Sequence, residues 1–493
     1  MKVQQRCLLW LALASLVLPA CGTRVRSPEA NPSEAAASQT TIAAAPLKSA
    51  ASQLRSSAGA TATPRGLDPE RAESGAPPVG EVSGSTAAPS STSPSERLST
   101  KPRGHGSFSL AGTDAQPDLP ERPPIPDGPA KASPVIVAHV GTLSGPVGTA
   151  YKPIVTGAQI WVGFVNRRGG LSGHQVQLLI YDDGGDPARH RSQIQEAVER
   201  RGVVAFLANT DPMTGRQAVS YLEQKRVPHV GSMTGATWAY DSPMLFPSIS
   251  EGEYGFFSWL ASFASQMIPL RKTRLVTVAC VEASPCIDVA KTFSRRAKEV
   301  GFKYVSTIKT ALAQPDYTAE CLAARNRSAE AIVLLLDQNS IRRFTAACAR
   351  QGYRPTYLLL SAVIEDAQEE NPELVGAAGV TNVFPWFQTG TPATDEFQSA
   401  FRALGGNQRL NVGVTMGWVA GKLLQQAGGK LTEPPTSDAI LEGLWTIQED
   451  TLGGLTSPLT FRKDKPAVPT SCWFNLLLKD RWISPDDHQL RCR

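Results

Sequence analysis

The stretch VIVAHVGTLSGPVGTAYKPIVTGAQIWVGFVNRRGG, residues 135–170, decides the architecture. Val135 to Val140 is a short apolar run of the length expected for a buried strand. After a loop rich in Gly and Ser, Thr149 to Asn166 carries Ile154, Ala158, Trp161 and Val165 at helical spacing. Arg168-Gly169-Gly170 then supplies a glycine helix stop. A strand, a loop, an amphipathic helix and a stop make up one unit of an alternating α/β fold.

The unit repeats downstream. Gln175 to Tyr181 alternates as a strand, and Asp186-Pro187 reads as an N-cap followed by a first helical residue. Ile194, Ala197 and Val198 give the next helix its buried face, and Val203 to Leu207 is a further strand. A helix over Thr214 to Gln224 and a strand over Val227 to Val230 follow. After Pro247 the alternation restarts with a helix over Glu253 to Ser265, a strand over Arg274 to Ala279 and a helix over Ile287 to Val300. Then come strands at Tyr304 to Ile308, Ala331 to Leu336 and Thr356 to Leu360, separated by helices at Thr318 to Asn326 and Ile341 to Gln351. Val380 to Trp386 reads as a strand, and Thr394 to Leu404, Val412 to Gln426 and Ser437 to Trp445 as helices. The pattern predicts an α/β chain with two doubly wound parallel-sheet lobes joined by a hinge. One lobe is expected over 134–252 plus about 383–445, the other over about 253–382 plus 446–493.

Working outward to the beginning of the chain, Lys2 and Arg6 precede an apolar stretch from Leu8 to Ala20. That length suits the core of a signal peptide and falls short of the roughly 20 residues a membrane-spanning helix needs. Ala20-Cys21-Gly22 at its end resembles a bacterial lipobox, which implies removal of residues 1–20 and a lipid on Cys21; the alternative is an ordinary secretory signal. Residues 21–133 are Ala, Ser, Thr, Pro and Gly with sparse, aperiodic apolar residues. Such a segment buries too little surface to offset its ordering entropy, so a disordered tether is expected. A coil of about 110 residues spans roughly 55–65 Å.

Of the 8 cysteines, Cys7 lies in the signal and Cys21 takes the lipid. Cys280, Cys286, Cys321, Cys348, Cys472 and Cys492 remain, an even set in an exported domain that reads as disulfides. Six cysteines allow 15 connectivities. Pairing of sequence neighbours is expected: Cys280 with Cys286, Cys321 with Cys348 and Cys472 with Cys492. No C-x-x-C pair and no nearby His points to a metal, and no cofactor motif occurs. A net charge of +5 with scattered basic residues gives no footprint for nucleic acid.

Five segments carry a family resemblance. Val137 to Pro146 resembles the first strand and loop of type I periplasmic binding proteins, in particular the leucine/isoleucine/valine-binding branch of ABC-transporter receptors. Phe164 to Gly173, Tyr181 to Pro187, Val227 to Ser232 and Gln314 to Tyr317 resemble four further family segments, in the family's order. The resemblance implies a receptor that holds a small molecule between two lobes and delivers it to an ABC permease. It implies a location on the outer face of the cell membrane, held there by the lipid on Cys21.

In doubly wound sheets the ligand sits beyond the carboxyl ends of the strands. Ser144 and Gly145, Asn209, Thr210 and Asp211, and Ser232 and Thr234 each follow a strand and precede a helix. Amides at helix N-termini there favour an anionic ligand group such as a carboxylate, and the hydroxyls add neutral donors. Caps and turns use the same residue types. By position, Tyr151 resembles the aromatic that the family places over its ligand. In the second lobe, Glu282, Asp337, Gln338 and Trp386 are candidates, and Glu282, Asp337, Glu365 or Asp366 could pair a ligand ammonium. The expected ligand is an amino acid, an amide or a related small acid.

No catalytic constellation appears. Gly231-Ser232-Met233-Thr234-Gly235 misses the G-x-S-x-G spacing, and neither H-E-x-x-H nor a phosphate loop occurs. His139 and His229 lie inside strand patterns, as core residues would. The alternative to transport is a lipid-anchored sensor or structural lipoprotein with the same fold.

Overall fold

The computed structural model of the chain describes residues 132–145 and 148–493. The signal segment, Cys21 and the tether fall outside the described residues, except for the last two positions of the tether.

The first sheet is built from β1 (Val135–Gly141), β2 (Val176–Asp182), β3 (Ala205–Leu207), β4 (His229–Val230) and β5 (Leu245–Phe246). Its order is β2-β1-β3-β4-β5 and every pairing is parallel. Helices α1 (Gly148–Arg167), α2 (Pro187–Arg201) and α3 (Val219–Lys225) connect these strands. The predicted cap of α2 forms: Asp186 accepts from the amides of Ala188 (2.8 Å) and Arg189 (3.1 Å), and Gly202 ends the helix in the left-handed region. The helix expected over 214–224 is instead a short 3-10 turn, Gly215–Ala218, followed by α3.

After α4 (Gly252–Met267) the second sheet repeats the same winding. It runs through β6 (Arg274–Cys280), α5 (Ser284–Arg296), β7 (Lys303–Thr310), α6 (Thr318–Asn326), β8 (Ala331–Leu335), α7 (Gln338–Arg350), β9 (Thr356–Leu359) and β10 (Ala378–Thr381). The order β7-β6-β8-β9-β10 matches that of the first sheet strand for strand. Along β8, Ile332 and Leu334 face one core while Ala331, Val333 and Leu335 face the other. A strand buried on both faces reads as a continuous apolar run, as AIVLL does.

The chain then returns to the first sheet with α8 (Pro392–Leu404), α9 (Val412–Ala427) and α10 (Ser437–Leu444). It ends in β11 (Cys472–Leu478), β12 (Trp482–Ile483) and β13 (Arg491–Cys492). These last strands add an antiparallel edge to the expected parallel sheet: β11 lies antiparallel to β10, β12 and β13. Only a few residues separate β11 from β12, enough for a hairpin and far too few for the crossover a parallel pair requires. The strand expected over 380–386 stops at Thr381, where the chain leaves the sheet.

Three segments therefore pass between the sheets, and hydrogen bonds bind them together. Thr456 Oγ1 donates to Ser248 O, Phe384 N donates to Leu455 O (2.9 Å), and the Ser250 and Thr470 hydroxyls lie 3.1 Å apart. Disulfides join Cys280 to Cys286, Cys321 to Cys348 and Cys472 to Cys492.

Helices α1 and α9 touch backbone to backbone. A Cβ on Gly157 would stand 2.0 Å from Val414 O, and one on Gly417 would stand 1.9 Å from Ile154 O. Neither position has room for a side chain, because the obstacle is main chain and cannot swing aside. Below the carboxyl edge of the first sheet lies a buried polar cluster. Asp183 accepts from Thr142 Oγ1 (2.8 Å) and Thr214 Oγ1 (2.7 Å) and pairs with His190 Nδ1 (2.9 Å). Asp211 Oδ2 is 3.6 Å from both His190 Nε2 and His229 Nε2. His139 and His229 are buried in β1 and β4. Burial, reinforced by the neighbouring histidines, holds His229 down at about 3, and burial holds His139 at about 4.

Two predictions follow from this packing. Gly417→Val is expected to cost about 1–3 kcal/mol or more, read as a lower urea midpoint at unchanged slope. An unchanged midpoint would show that the helices are not in contact. For His229 the folded value lies below the unfolded one of about 6.5. The unfolded chain therefore takes up a proton as pH falls below about 6.5 while the folded chain does not, and stability is lost on acidification. His229→Gln should remove up to one proton from the uptake on unfolding between about pH 6.5 and 4, measured from the pH dependence of chemical unfolding.

Candidate functional site

Both windings reverse direction between their first and third strands, and a crevice opens at that point beyond the carboxyl ends. The two crevices face each other across the three crossing segments. Between them lies a cleft of about 1050 Å³, including its open mouth. Tyr151 of α1, Pro212 after β3, and Met233 and Gly235 after β4 form the first wall. Ile249, Ser250 and Glu251 of the first crossing form one side. The opposite wall comes from Phe256 and Trp259 of α4, the Cys280–Cys286 disulfide with Ala283 and Pro285, and Leu334, Leu335, Leu336 and Asp337 at the end of β8. Leu360, Ser361 and Val363 continue it, and Met416 of α9 joins from the side. Among the described residues the lining contains no Lys, Arg or His.

Glu251 is the most unusual group in the wall. Its carboxyl accepts from Thr234 N (3.2 Å), Gly235 N (2.7 Å) and Thr234 Oγ1 (3.3 Å). It is 2% exposed, and burial pushes it up to about 8 against the pull of those donors. Tyr151 is pushed up to about 12, first by burial and then by the charge of Glu251. Among the described residues the Tyr151 hydroxyl has no hydrogen-bond partner, and its ring lines the cleft. Asp337 spends its carboxylate on the start of α7, accepting from Asn339 N (2.9 Å), Ser340 N (3.1 Å) and Ser340 Oγ (2.6 Å).

Of the residues singled out from sequence, Tyr151 and Asp337 stand on the wall. Ser144 and Gly145 are exposed, and the Ser144 amide leans on Asp182 (3.3 Å). Asn209 Oδ1 accepts from Val140 N (2.9 Å), Thr210 bridges Gly141 and Met233, and Asp211 faces the buried histidines. Ser232 is buried, its hydroxyl without a partner among the described residues, and Thr234 is tied to Glu251. Glu282 points outward and accepts from Leu312 N (2.7 Å). Gln338 donates to Val363 O, and Trp386 is a core residue whose indole donates to Asp366. Glu365 and Asp366 are half-buried away from the wall, both pushed upward by burial. Sequence reading missed Glu251, because its partners are 16 and 17 residues away and met only through the tertiary fold. It also missed Trp259 and Met416, whose helical spacing looks the same for core and cleft.

Among the described residues no group of three or more His, Cys, Asp or Glu is placed to hold a metal ion. No helix there is long and apolar enough to cross a membrane.

Comparison with known proteins agrees with this geometry. Residues 134–475 match the periplasmic binding protein family. A possible leucine/isoleucine/valine-binding protein from Rhodopirellula baltica is similar in structure, with a TM-score of 0.59 at 17% identity, covering 73% of this chain and 98% of that one. A fatty acid ABC transporter substrate-binding protein from Thermomonospora curvata gives 0.60 at 16% identity, over 73% and 94%. An ABC-transporter solute-binding protein from R. palustris in complex with benzoate gives 0.58 at 14% identity, over 71% and 95%. These identities carry the fold alone. The Leu/Ile/Val-binding protein of Escherichia coli is 41% identical over 58 residues, 12% of this chain and 16% of that protein. With the family match spanning well over half its length, the chain belongs to the periplasmic binding protein family.

Proposed function

We propose that this protein is a lipid-anchored receptor that closes its two lobes over a small molecule with a mainly apolar body and hands it to an ABC permease. The observation that carries the reading is the cleft itself. It lies at the carboxyl ends of both sheets, where doubly wound folds take their ligands, and three crossings can act as a hinge. Support for the apolar body comes from the wall, where Met233, Ile249, Trp259, Leu335 and Met416 outnumber the polar groups. Two of the similar structures are a fatty acid receptor and a benzoate complex, which keeps aliphatic and aromatic bodies both in view. Pairing of a ligand ammonium with a second-lobe carboxylate rests on Asp337 alone among the four candidates, and that group is already shared with the start of α7. The anchor rests on Ala20-Cys21-Gly22 after the apolar core of residues 8–20.

Thermal melting against branched aliphatic, linear aliphatic and aromatic compounds, with polar sugars and nucleosides as controls, tests the receptor. A ligand at 100 times its dissociation constant stabilises by about 2.7 kcal/mol. Response to an apolar class alone is expected; response only to sugars or nucleosides would reject the apolar assignment, and a flat panel would favour a sensor or structural lipoprotein. Cys21→Ser is expected to move the protein from the membrane fraction to the soluble one. Continued partitioning into detergent would reject the lipid anchor.

A further inference from the structure

Loop amides at the carboxyl edge of the first sheet are the natural place for an anionic ligand group. Here two of them are already taken. Thr234 N and Gly235 N, with the Thr234 hydroxyl, donate to the carboxyl of Glu251, which belongs to the chain. Glu251 reaches them from the crossing that follows β5, and its own amide donates to Tyr240 Oη (3.0 Å). The group is thus fixed at both its backbone and its carboxyl. Asp337 is a second carboxyl group lining the same cleft. A ligand bringing a carboxylate would find two of these amides taken, no cation among the described lining residues and an apolar wall, so its charge would lose hydration with little compensation. An ammonium would have to share Asp337, whose carboxylate already accepts from Asn339 N, Ser340 N and Ser340 Oγ.

We infer that Glu251 is an internal substitute for a ligand carboxylate and sets the ligand class: an uncharged molecule, such as an amide or alcohol, with an apolar body. This rests on the receptor reading above and narrows it. Tyr151, whose hydroxyl has no partner among the described residues, lines the same cleft and can meet the polar head. The high proton affinity of Glu251, near 8, agrees with a site arranged around uncharged groups.

The test compares matched head groups on the full-length protein at neutral pH. The probes are benzamide, benzoate and benzylamine, and hexanamide, hexanoate and hexylamine, read by thermal melting and calorimetry. The amides are expected to bind and their acid and amine counterparts to bind at least about tenfold more weakly. Glu251→Ala frees the two amides and should reverse the order, raising affinity for the acids by about tenfold or more. A purely structural role would weaken all three heads alike. Acid or amine binding to the native protein as tight as the amide overturns the inference while leaving a solute receptor standing. No response of any probe, in either protein, counts against the receptor reading and takes the inference with it. The head-group comparison on the native protein decides the matter even if Glu251→Ala does not fold.

Discussion

Much of this architecture depends on the backbone contact between α1 and α9. Helix α1 belongs to the first winding, and α9 is made only after the second sheet has laid down five parallel strands. For Gly417 to rest on Ile154 O and Gly157 on Val414 O, the chain has to leave the second sheet at Thr381 and come back to the first. Strand β11 then obliges it to cross again. The contact so made is tight, because carbonyl oxygens occupy the places where side chains would stand. Three crossings follow from it, and so does the position of the cleft between them. Met416, next to Gly417, reaches the cleft as a consequence of the same packing.

The loops that rim the cleft spend their polar groups on each other. Asn209 satisfies β1, Asp183 gathers Thr142, Thr214 and His190, Glu282 takes the Leu312 amide, Asp337 caps α7 and Glu251 takes Thr234 and Gly235. Buried polar atoms are costly when unpaired, so such pairing stiffens the loops. It also removes donors and acceptors that another receptor would offer to its ligand. What remains exposed to the cleft is largely hydrocarbon, the thioethers of Met233 and Met416, and a disulfide. A rigid polar frame and an apolar cavity are two results of one distribution of hydrogen bonds.

The alternating windings were legible because their signals are local. Apolar runs such as AIVLL, the Asp186-Pro187 start and the Gly169-Gly170 stop act within a few residues and survive into the fold. The edge formed by β11, β12 and β13 was not foreseen: two of its strands are only two residues long, and its partner β10 lies about ninety residues earlier. The site was only half legible. Position after a strand and before a helix picked out loops of which several reach the cleft, yet within them the neighbours Pro212, Met233, Gly235 and Ala283 line it, while Asp211, Thr234 and Glu282 turn to internal partners. Sequence shows which residues can hydrogen-bond. The choice between a ligand and the chain is made by tertiary contacts such as that of Glu251, which no local pattern encodes.

An apolar cleft places particular demands on a closing receptor. Burying about 250 Å² of ligand hydrocarbon yields roughly 6 kcal/mol, and the loss of translational and rotational freedom consumes much of that. Affinity and choice of ligand then turn on a few polar contacts and on shape. Closure adds a further condition, since a ligand shifts the equilibrium only by its differential affinity for the closed state. Hydrocarbon resting on Leu334 and Leu335 alone binds open and closed forms equally. In the proposed receptor the surface that would distinguish them is the wall formed by Tyr151, Met233 and Glu251. Under that proposal a ligand whose head suits that wall would promote closure, and one whose charge is refused there would leave the lobes open.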